Sequence, residues 1–159
     1  MEKVLKGINT KDLTDIDEIL RSTDFFYDFE IATALEIADE TIRYGTEKSG
    51  YFWIKITENE KVIAFANYGK NDFSVHSWEL YWIAVHQNLR HKNLGTILLK
   101  AVEEDVKKRG GRILWIETSG RPLYTPTEKF YARNGYELAA SLKDFYAQGD
   151  PKQIYSKAL

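Results

Sequence analysis

A polar turn between an apolar segment and an amphipathic helix is the part of this sequence best suited to binding chemistry. Residues 83–85 are apolar, the turn that follows contains Arg90 and Lys92, and helical periodicity starts at Leu94. The start of a helix directs unpaired backbone N–H groups and the positive end of the helix dipole toward one point. Phosphate is the usual ligand at such a point, so the turn is a candidate anion site.

The two best-known phosphate motifs do not occur in this turn. Gly95 is followed by Thr96 and not by Lys-Ser or Lys-Thr, which excludes a Walker motif, and the pattern G-x-G-x-x-G is also missing. Many strand–helix turns contain a glycine and a basic residue without binding any ligand. The local chemistry therefore leaves both a phosphate site and a purely structural turn open.

The composition excludes several other functions. The 159 residues include 22 basic and 24 acidic side chains, a net charge of −2, so no overall field attracts nucleic acid. Cysteine does not occur, which excludes disulfides, thiolate metal sites and cysteine nucleophiles. His76, His86 and His91 share no helical face and have no clustered carboxylates, so we expect no metal site. No G-x-S-x-G motif supports a hydrolase.

The apolar segments are short. The longest run, residues 80–85, is far below the roughly 20 residues that span a bilayer, and the first residues lack the apolar stretch of a signal peptide. We therefore expect a cytoplasmic protein with no membrane or nucleic-acid partner. The length, with no repeat or linker, predicts a single domain over residues 1–159.

Hydrophobic periodicity predicts a mixed α/β fold. Strands are expected at residues 4–8, 51–57, 62–68, 78–85, 113–118, 136–142 and 154–157, and helices at residues 13–20, 31–42, 94–106 and 125–134. The strand–helix–strand unit at residues 78–118 is long enough for a right-handed crossover, so its two strands should be parallel. The expected fold is a mixed, mostly antiparallel central sheet flanked by helices.

Residues at the expected helix ends support these boundaries. Thr125, Pro126 and Glu128 predict a helix start in which Thr125 is the cap. Gly110-Gly111 predicts where the helix at residues 94–106 ends, and Gly135 is suited to the left-handed backbone that follows the helix at residues 125–134.

Three segments resemble signatures of the GNAT acetyltransferase superfamily. Ile83-Ala-Val85 followed by Arg90-His-Lys-Asn-Leu-Gly95 is similar to the acetyl-CoA motif Arg/Gln-x-x-Gly-x-Gly/Ala. Phe130-Tyr131-Ala-Arg-Asn-Gly135-Tyr136 is similar to the signature F-Y-x-x-x-G-[FY], and the strand at residues 113–118 is also matched. With the element order, the resemblance covers about residues 3–158. It implies that the parallel strands at residues 78–85 and 113–118 splay apart.

The resemblance implies acetyl-CoA as the co-substrate and indicates the residues that bind it. The pantetheine arm would pair with the backbone of Ile83 and Val85. The pyrophosphate would be held by Arg90, His91, Lys92, Asn93, Leu94, Gly95 and Thr96. Asn93 replaces the first glycine of the motif, and His91 stands where glycine is common, so their Cβ atoms could crowd the phosphates. Asparagine tolerates left-handed backbone better than most residues, which favours a preserved turn.

The resemblance also implies two catalytic residues. Tyr131 matches a tyrosine that protonates the departing CoA thiolate, and Glu79 matches a glutamate that acts as general base. An amine with a pKa of about 10.4 is almost fully protonated at pH 7, and a carboxylate can relieve that cost of about 4–5 kcal/mol. A tyrosine with a pKa near 10 can donate to a thiolate. Alternatively, Glu79 faces solvent or pairs with a basic residue across the sheet, and Tyr131 is only a packed aromatic. Glu117, near the end of the strand at residues 113–118, could line the acceptor pocket, and its alternative is a structural or solvent-facing role.

The leading hypothesis is an acetyl-CoA-dependent N-acetyltransferase, an acyltransferase that moves groups other than aminoacyl groups. A primary amine on a small molecule or peptide would attack the thioester directly in a ternary complex. One alternative is a non-catalytic acyl-CoA-binding regulatory module of the same fold. Another is a sheet protein in which Asn93 and His91 block the cofactor site. Dimers are common among similar proteins, which makes a homodimer an expectation of the resemblance.

Overall fold

Seven strands form one mixed sheet in the order β1-β2-β3-β4-β5-β7-β6. The computed structural model describes residues 1–159 except the side chain of His91, so the prediction for that side chain lies outside the described residues. The strands are Glu2–Lys6 (β1), Phe52–Glu58 (β2), Lys61–Lys70 (β3), Ser77–Val85 (β4), Ile113–Ser119 (β5), Glu137–Ala147 (β6) and Asp150–Ala158 (β7). The helices are Asp12–Ser22 (α1), Asp28–Tyr44 (α2), Thr46–Ser49 (α3), Leu94–Lys108 (α4) and Thr125–Arg133 (α5). The predicted mixed α/β fold is confirmed.

The chain divides into two compact units. The first unit contains Met1–Gly69 and Tyr81–Asp105, and the second contains Lys70–Leu80 and Val106–Leu159. Each unit is described separately below. A single domain over residues 1–159 stays a prediction.

Helices α1 and α2 pack their apolar faces against β2 and β3 in the first unit. Apolar residues recur every three or four positions in both helices, which gives each helix one apolar face. The core consists of Ile16, Ile19, Leu20, Ile31, Ala34, Ala38, Trp53, Val62, Phe65 and Ala84. Trp53 Nε1 donates to Thr41 Oγ1 at 2.9 Å, so this large core side chain also satisfies its polar atom.

A buried ion pair joins the start of α1 to β2. Lys55 Nζ lies 2.6 Å from Asp12 Oδ2, and both side chains are almost fully buried. The same carboxylate oxygen accepts a hydrogen bond from the backbone N–H of Asn9 at 2.8 Å. The charge of Asp12 therefore neutralises a buried lysine and also fixes the turn that leads into α1.

A second carboxylate attaches α4 to the sheet of the first unit. Asp105 is buried, and its Oδ2 accepts a hydrogen bond from the Tyr68 hydroxyl of β3 at 2.6 Å. Its Oδ1 lies 2.7 Å from Lys6 Nζ of β1. Leu94 and Leu98 of the same helix are fully buried. Polar and apolar contacts together hold α4 in place.

A short parallel pairing organises the second unit. Ser77–Leu80 of β4 pairs with Ile113–Ile116 of β5, which confirms the prediction that these two strands are parallel. On its other side, β5 pairs antiparallel with β7 along its whole length without a register shift. The splay predicted beyond the parallel pairing stays a prediction.

The end of α4 depends on two glycines for different reasons. Gly110 has φ +90°, the left-handed region that lets the chain leave a helix. A Cβ on Gly111 would lie 2.3 Å from Val106 Cγ1 and 2.6 Å from Trp78 Cδ1. The backbone conformation therefore favours glycine at the first position, and packing requires it at the second.

Several predicted boundaries differ from the structure, and two of the differences have a clear local cause. β1 ends at Lys6 and not at Ile8, because Gly7 has φ +85° and turns the chain away from the strand. Thr125 as the cap of α5 is wrong. A 3-10 turn at Pro122–Tyr124 runs directly into the helix, so Thr125 already has helical dihedral angles (φ −54°, ψ −43°). A capping residue needs non-helical dihedral angles, and no side chain caps this helix.

The β6–β7 hairpin is longer than predicted, and its pairing is irregular. β6 lies at one edge of the sheet. Its register with β7 shifts between Leu138 and Ala140 and again between Leu142 and Ala147. Such shifts insert unpaired residues and bend the strand. The alternation of apolar and polar residues in β6 is therefore lost beyond Leu142, which explains why the strand was predicted to end there.

The buried Asp12–Lys55 pair yields a stability prediction. Asp12→Ala should lower the free energy of unfolding by about 3–5 kcal/mol, because it leaves the Lys55 charge buried without a partner. Urea denaturation measures the change. The control is Asp39→Ala, which removes the exposed ion pair with Arg43 and should cost roughly 0.5 kcal/mol or less. Equal losses for the two variants would contradict the prediction, and Asp12→Leu with Lys55→Met should recover most of the loss.

Candidate functional site

The turn after β4 has left-handed backbone at the position where the motif has its first glycine. A 3-10 helix spans Gln87–Lys92, and Asn93 follows it with φ 62° and ψ 19°, in the left-handed region. α4 begins at the next residue, Leu94. Asn93 thus adopts the conformation for which a glycine would otherwise be needed, and asparagine adopts it at low cost. The turn expected from the sequence is present.

The first amides of α4 are suited to an anion. The Ile97 N–H donates to the Asn93 carbonyl at 3.3 Å, and the amides of Leu94 and Gly95 come before it at the start of the helix. The side chain of Leu94 is fully buried, so it can offer a ligand only its backbone. Helix α4 is 15 residues long, and its dipole places partial positive charge at this end.

Arg90 is exposed on the turn and is held by uncharged groups. Its guanidinium carbon lies 5.0 Å from the centre of the Phe25 ring, and Nη1 donates to Gln87 Oε1 at 3.2 Å. The Gln87 backbone N–H donates in turn to Ser22 Oγ at 3.1 Å, at the end of α1. Among the described residues, no carboxylate pairs with Arg90, so its positive charge can meet an anion. Lys92 lies 3.9 Å from Glu2 Oε1, a long and exposed ion pair.

Ile83 and Val85 lie on the strand that leads into this turn. Both side chains are half-buried, whereas Ala84 between them packs into the core of the first unit. Because successive side chains of a strand alternate, Ile83 and Val85 share the face opposite to that core. Their predicted pairing with a pantetheine arm stays a prediction.

Tyr131 is the buried residue of α5 in the second unit. It is 4% exposed, and its ring centre lies 5.3 Å from Phe130, 5.9 Å from Tyr136 and 5.8 Å from Tyr155. Burial raises the pKa of the Tyr131 hydroxyl well above its ordinary value, and the nearby Tyr155 raises it further. Removal from water disfavours the charged phenolate, so the hydroxyl stays a proton donor over a wide pH range.

Glu79 lies on the opposite face of the second unit's sheet. In the register, Leu80 pairs with Ile116, and Ile116 pairs with Tyr155. Cross-strand partners share a face and neighbours along a strand alternate, so Glu79 is on the other face from Tyr155. Tyr131 packs on Tyr155. The two predicted catalytic residues are therefore separated by the thickness of the sheet.

Glu117 has a structural partner. Its Oε2 lies 2.7 Å from Lys152 Nζ, and the same Lys152 ammonium lies 4.2 Å from the centre of the Phe145 ring. This pairing favours the structural alternative for Glu117.

No group of three or more His, Cys, Asp or Glu side chains in the described part of the chain is arranged to hold a metal ion. Within the same residues, no helix combines the length and hydrophobicity that a bilayer span requires.

Sequence reasoning missed the residues that support the predicted site. Tyr155 contacts Tyr131 from β7, and Ser22 and Phe25 contact the turn from the end of α1 and the loop after it. None of the three belongs to a local motif, because their roles arise from tertiary packing. The aromatic run at residues 25–27 was the only available signal, and it does not distinguish a core residue from a neighbour of Arg90.

Comparison with known proteins identifies one family. A family model described as "Acetyltransferase (GNAT) family" matches residues 13–136. The structure is similar to that of a GNAT-family protein from Desulfovibrio desulfuricans, with 36% sequence identity, a TM-score of 0.96 and 99% of each chain covered. No curated protein matches the chain in sequence.

Two further structures share the fold. An aminoglycoside 6'-N-acetyltransferase complexed with coenzyme A has 17% identity and a TM-score of 0.77, with 99% of this chain and 96% of that chain covered. The ribosomal-protein-S18-alanine N-acetyltransferase from Escherichia coli has 21% identity and a TM-score of 0.77, with 99% of this chain and 94% of that chain covered. At these identities, the likeness concerns the fold alone.

The burial of Tyr131 yields a titration prediction. The ultraviolet titration curves of the parent and of Tyr131→Phe should coincide near pH 10, where ordinary tyrosine ionises, because the raised pKa keeps Tyr131 neutral there. The unfolded state loses this proton first, so Tyr131 should also make stability fall as the pH rises above about 10. The control is the same pair of titrations in denaturant, where the absorbance change of the parent should exceed that of Tyr131→Phe by the ionisation of one tyrosine. A difference near pH 10 in the folded proteins would refute the prediction.

Proposed function

Because the chain belongs to the GNAT acetyltransferase family, we propose that it is an acetyl-CoA-dependent N-acetyltransferase that acts on a primary amine. The left-handed Asn93 at the start of α4 is the observation that carries this proposal furthest. It provides left-handed backbone at the position where the motif has its first glycine, and this supports the proposed diphosphate site. The expectation of a homodimer stays a prediction.

The residues of the first unit fit the diphosphate of the co-substrate. The amides of Leu94 and Gly95 would donate to it, and Arg90 would exchange its contact with the Phe25 ring for the phosphate charge. Each contact of this kind contributes about 0.3–2 kcal/mol, so several must act together. Acetyl-CoA supplies an activated thioester when bound.

Direct transfer assigns one task to each catalytic residue. The amine nitrogen attacks the thioester carbonyl carbon, the C–N bond forms, and the C–S bond breaks. The proton released by the amine passes to the Glu79 carboxylate, directly or through water. The electron pair of the broken bond stays on sulfur as a thiolate. Glu79 and Tyr131 lie on opposite faces of the sheet, which suits a base on the amine side and a donor on the sulfur side.

The raised pKa of Tyr131 refines its role. An ordinary thiol has a pKa of about 8.5, and the pKa of Tyr131 lies above that of ordinary tyrosine. Oxygen therefore holds the proton more tightly than sulfur does. Tyr131 would stabilise the thiolate chiefly by donating a hydrogen bond, with the proton staying on oxygen, and the thiolate would gain a proton from solvent after release.

The acceptor is proposed at the level of its reacting group. One structural neighbour is named for aminoglycosides and another for the alanine of a ribosomal protein. Both names specify amine acceptors, one a small molecule and the other a protein. We therefore include both small-molecule and peptide amines in the proposed substrate class.

Variants of Asn93 test the binding part of the proposal. Acetyl-CoA should bind the parent in calorimetry, and Asn93→Gly should retain this binding. Asn93→Val should weaken it roughly 5- to 30-fold, because a β-branched residue in left-handed backbone is strained by about 1–2 kcal/mol. Lack of binding by the parent together with binding by Asn93→Gly would instead support the blocked-site alternative.

An amine panel with CoA release as the readout tests catalysis. Tyr131→Phe should lower kcat by on the order of 10²-fold with little change in acetyl-CoA affinity, because the hydroxyl acts only on the developing thiolate. Glu79→Gln should also lower kcat, most strongly below pH 9. The matched control is Tyr146→Phe, an exposed tyrosine of β6, which should match the parent. Binding of acetyl-CoA with no turnover of any amine would favour the regulatory module.

A further inference from the structure

Helix α5 depends on packing for its position. It has nine residues, fewer than the roughly 12–15 that an isolated helix needs to be even marginally stable in water. Tyr131 is its buried residue, and the others are at least partly exposed. The orientation of α5 is therefore set largely by what surrounds the Tyr131 ring.

The contact with β7 is the one that fixes Tyr131 relative to the sheet. Phe130 and Tyr136 also touch its ring, but both lie within five residues of it along the chain. Neighbours this close move together with the helix end. Tyr155 comes from a strand and lies 5.8 Å from Tyr131 between ring centres, with the planes inclined by 39°.

Tyr155 is itself held on both sides. It is 7% exposed, and its backbone pairs with Ile116 of β5 on one side and with Leu138 of β6 on the other. A ring on a strand that is paired on both sides moves less than a side chain of a short helix, so Tyr155 can fix the position of the Tyr131 ring. A fixed position matters because a misplacement of a reacting group by 1 Å can lower the rate of the reaction about 10²-fold.

We propose that Tyr155 is a positioning residue, whose ring holds the Tyr131 hydroxyl where it can donate to the departing thiolate. This inference rests on the proposed role of Tyr131. The first turn of α5 contains Glu128, which lies three residues before Tyr131 on the same helix face. Burial and then the Glu128 carboxylate raise the pKa of Tyr155, in keeping with the position of its ring against α5.

The experiment distinguishes the effect of the Tyr155 ring from that of its hydroxyl, and it tests whether Tyr155 acts through Tyr131. CoA release from acetyl-CoA is followed with a thiol reagent, which gives no background because the chain has no cysteine. The acceptor is the best amine of the panel, or water if no amine reacts. The variants are Tyr155→Leu, Tyr155→Phe, Tyr131→Phe and the double variant Tyr131→Phe/Tyr155→Leu.

We expect Tyr155→Leu to lower kcat on the order of 10- to 100-fold while KM for acetyl-CoA changes less than about twofold. Tyr155→Phe should retain most of kcat because the ring is kept. In the Tyr131→Phe background, Tyr155→Leu should lower kcat by less than about twofold, because the hydroxyl it positions is already missing. If Tyr155→Leu does not fold, Tyr155→Met removes the ring with less loss of apolar volume.

Phe52→Leu is the matched control for a shortened core aromatic. Phe52 is 8% exposed on β2, so its truncation should lower Tm without changing kcat. The inference is overturned if Tyr155→Leu lowers kcat equally in both backgrounds, if it leaves kcat unchanged, or if Tyr155→Phe loses as much as Tyr155→Leu. A normal kcat for Tyr131→Phe would instead refute the proposed role of Tyr131.

Discussion

The parallel pairing of β4 with β5 is the constraint on which the rest of the structure depends. Parallel neighbours cannot be joined by a tight turn, so the chain must leave β4, cross over as a helix and return. That crossover puts the start of α4 directly after the end of β4. The turn proposed to bind the diphosphate is therefore a product of strand topology, and Asn93 adds the left-handed backbone from which α4 begins.

The same pairing separates Glu79 and Tyr131, the two residues proposed to be catalytic. Its register places Leu80 beside Ile116 and leaves Glu79 on the opposite face, while the regular β5–β7 ladder continues the Leu80 face to Tyr155. If the register of β4 against β5 moved by one residue, each β4 side chain would move to the other face of the sheet. Apolar burial of Leu80 and Ile116 therefore does more than stabilise the second unit, because it also decides on which face the carboxylate lies.

Much of the fold follows from periodicity, because each main helix and strand has the apolar spacing of its own class. The crossover from β4 to β5 was predicted for this reason, and the end of α4 was predicted from its two following glycines, Gly110 and Gly111. The error at Thr125 arose because its side chain suits a cap, whereas the preceding 3-10 turn had already made it helical. The motif residues of the turn were predictable, but Tyr155 was not, because helix-on-strand packing leaves no fixed spacing in a sequence.

The two shifts in the register of β6 with β7 have a consequence for the solubility of the protein. β6 is an edge strand that exposes Leu138, Leu142, Phe145 and Tyr146, a composition that favours strand addition by another chain. A growing aggregate needs an evenly spaced row of N–H and C=O groups, and the two irregularities interrupt that row. The edge can thus carry large apolar side chains without offering a continuous template for intermolecular sheet growth.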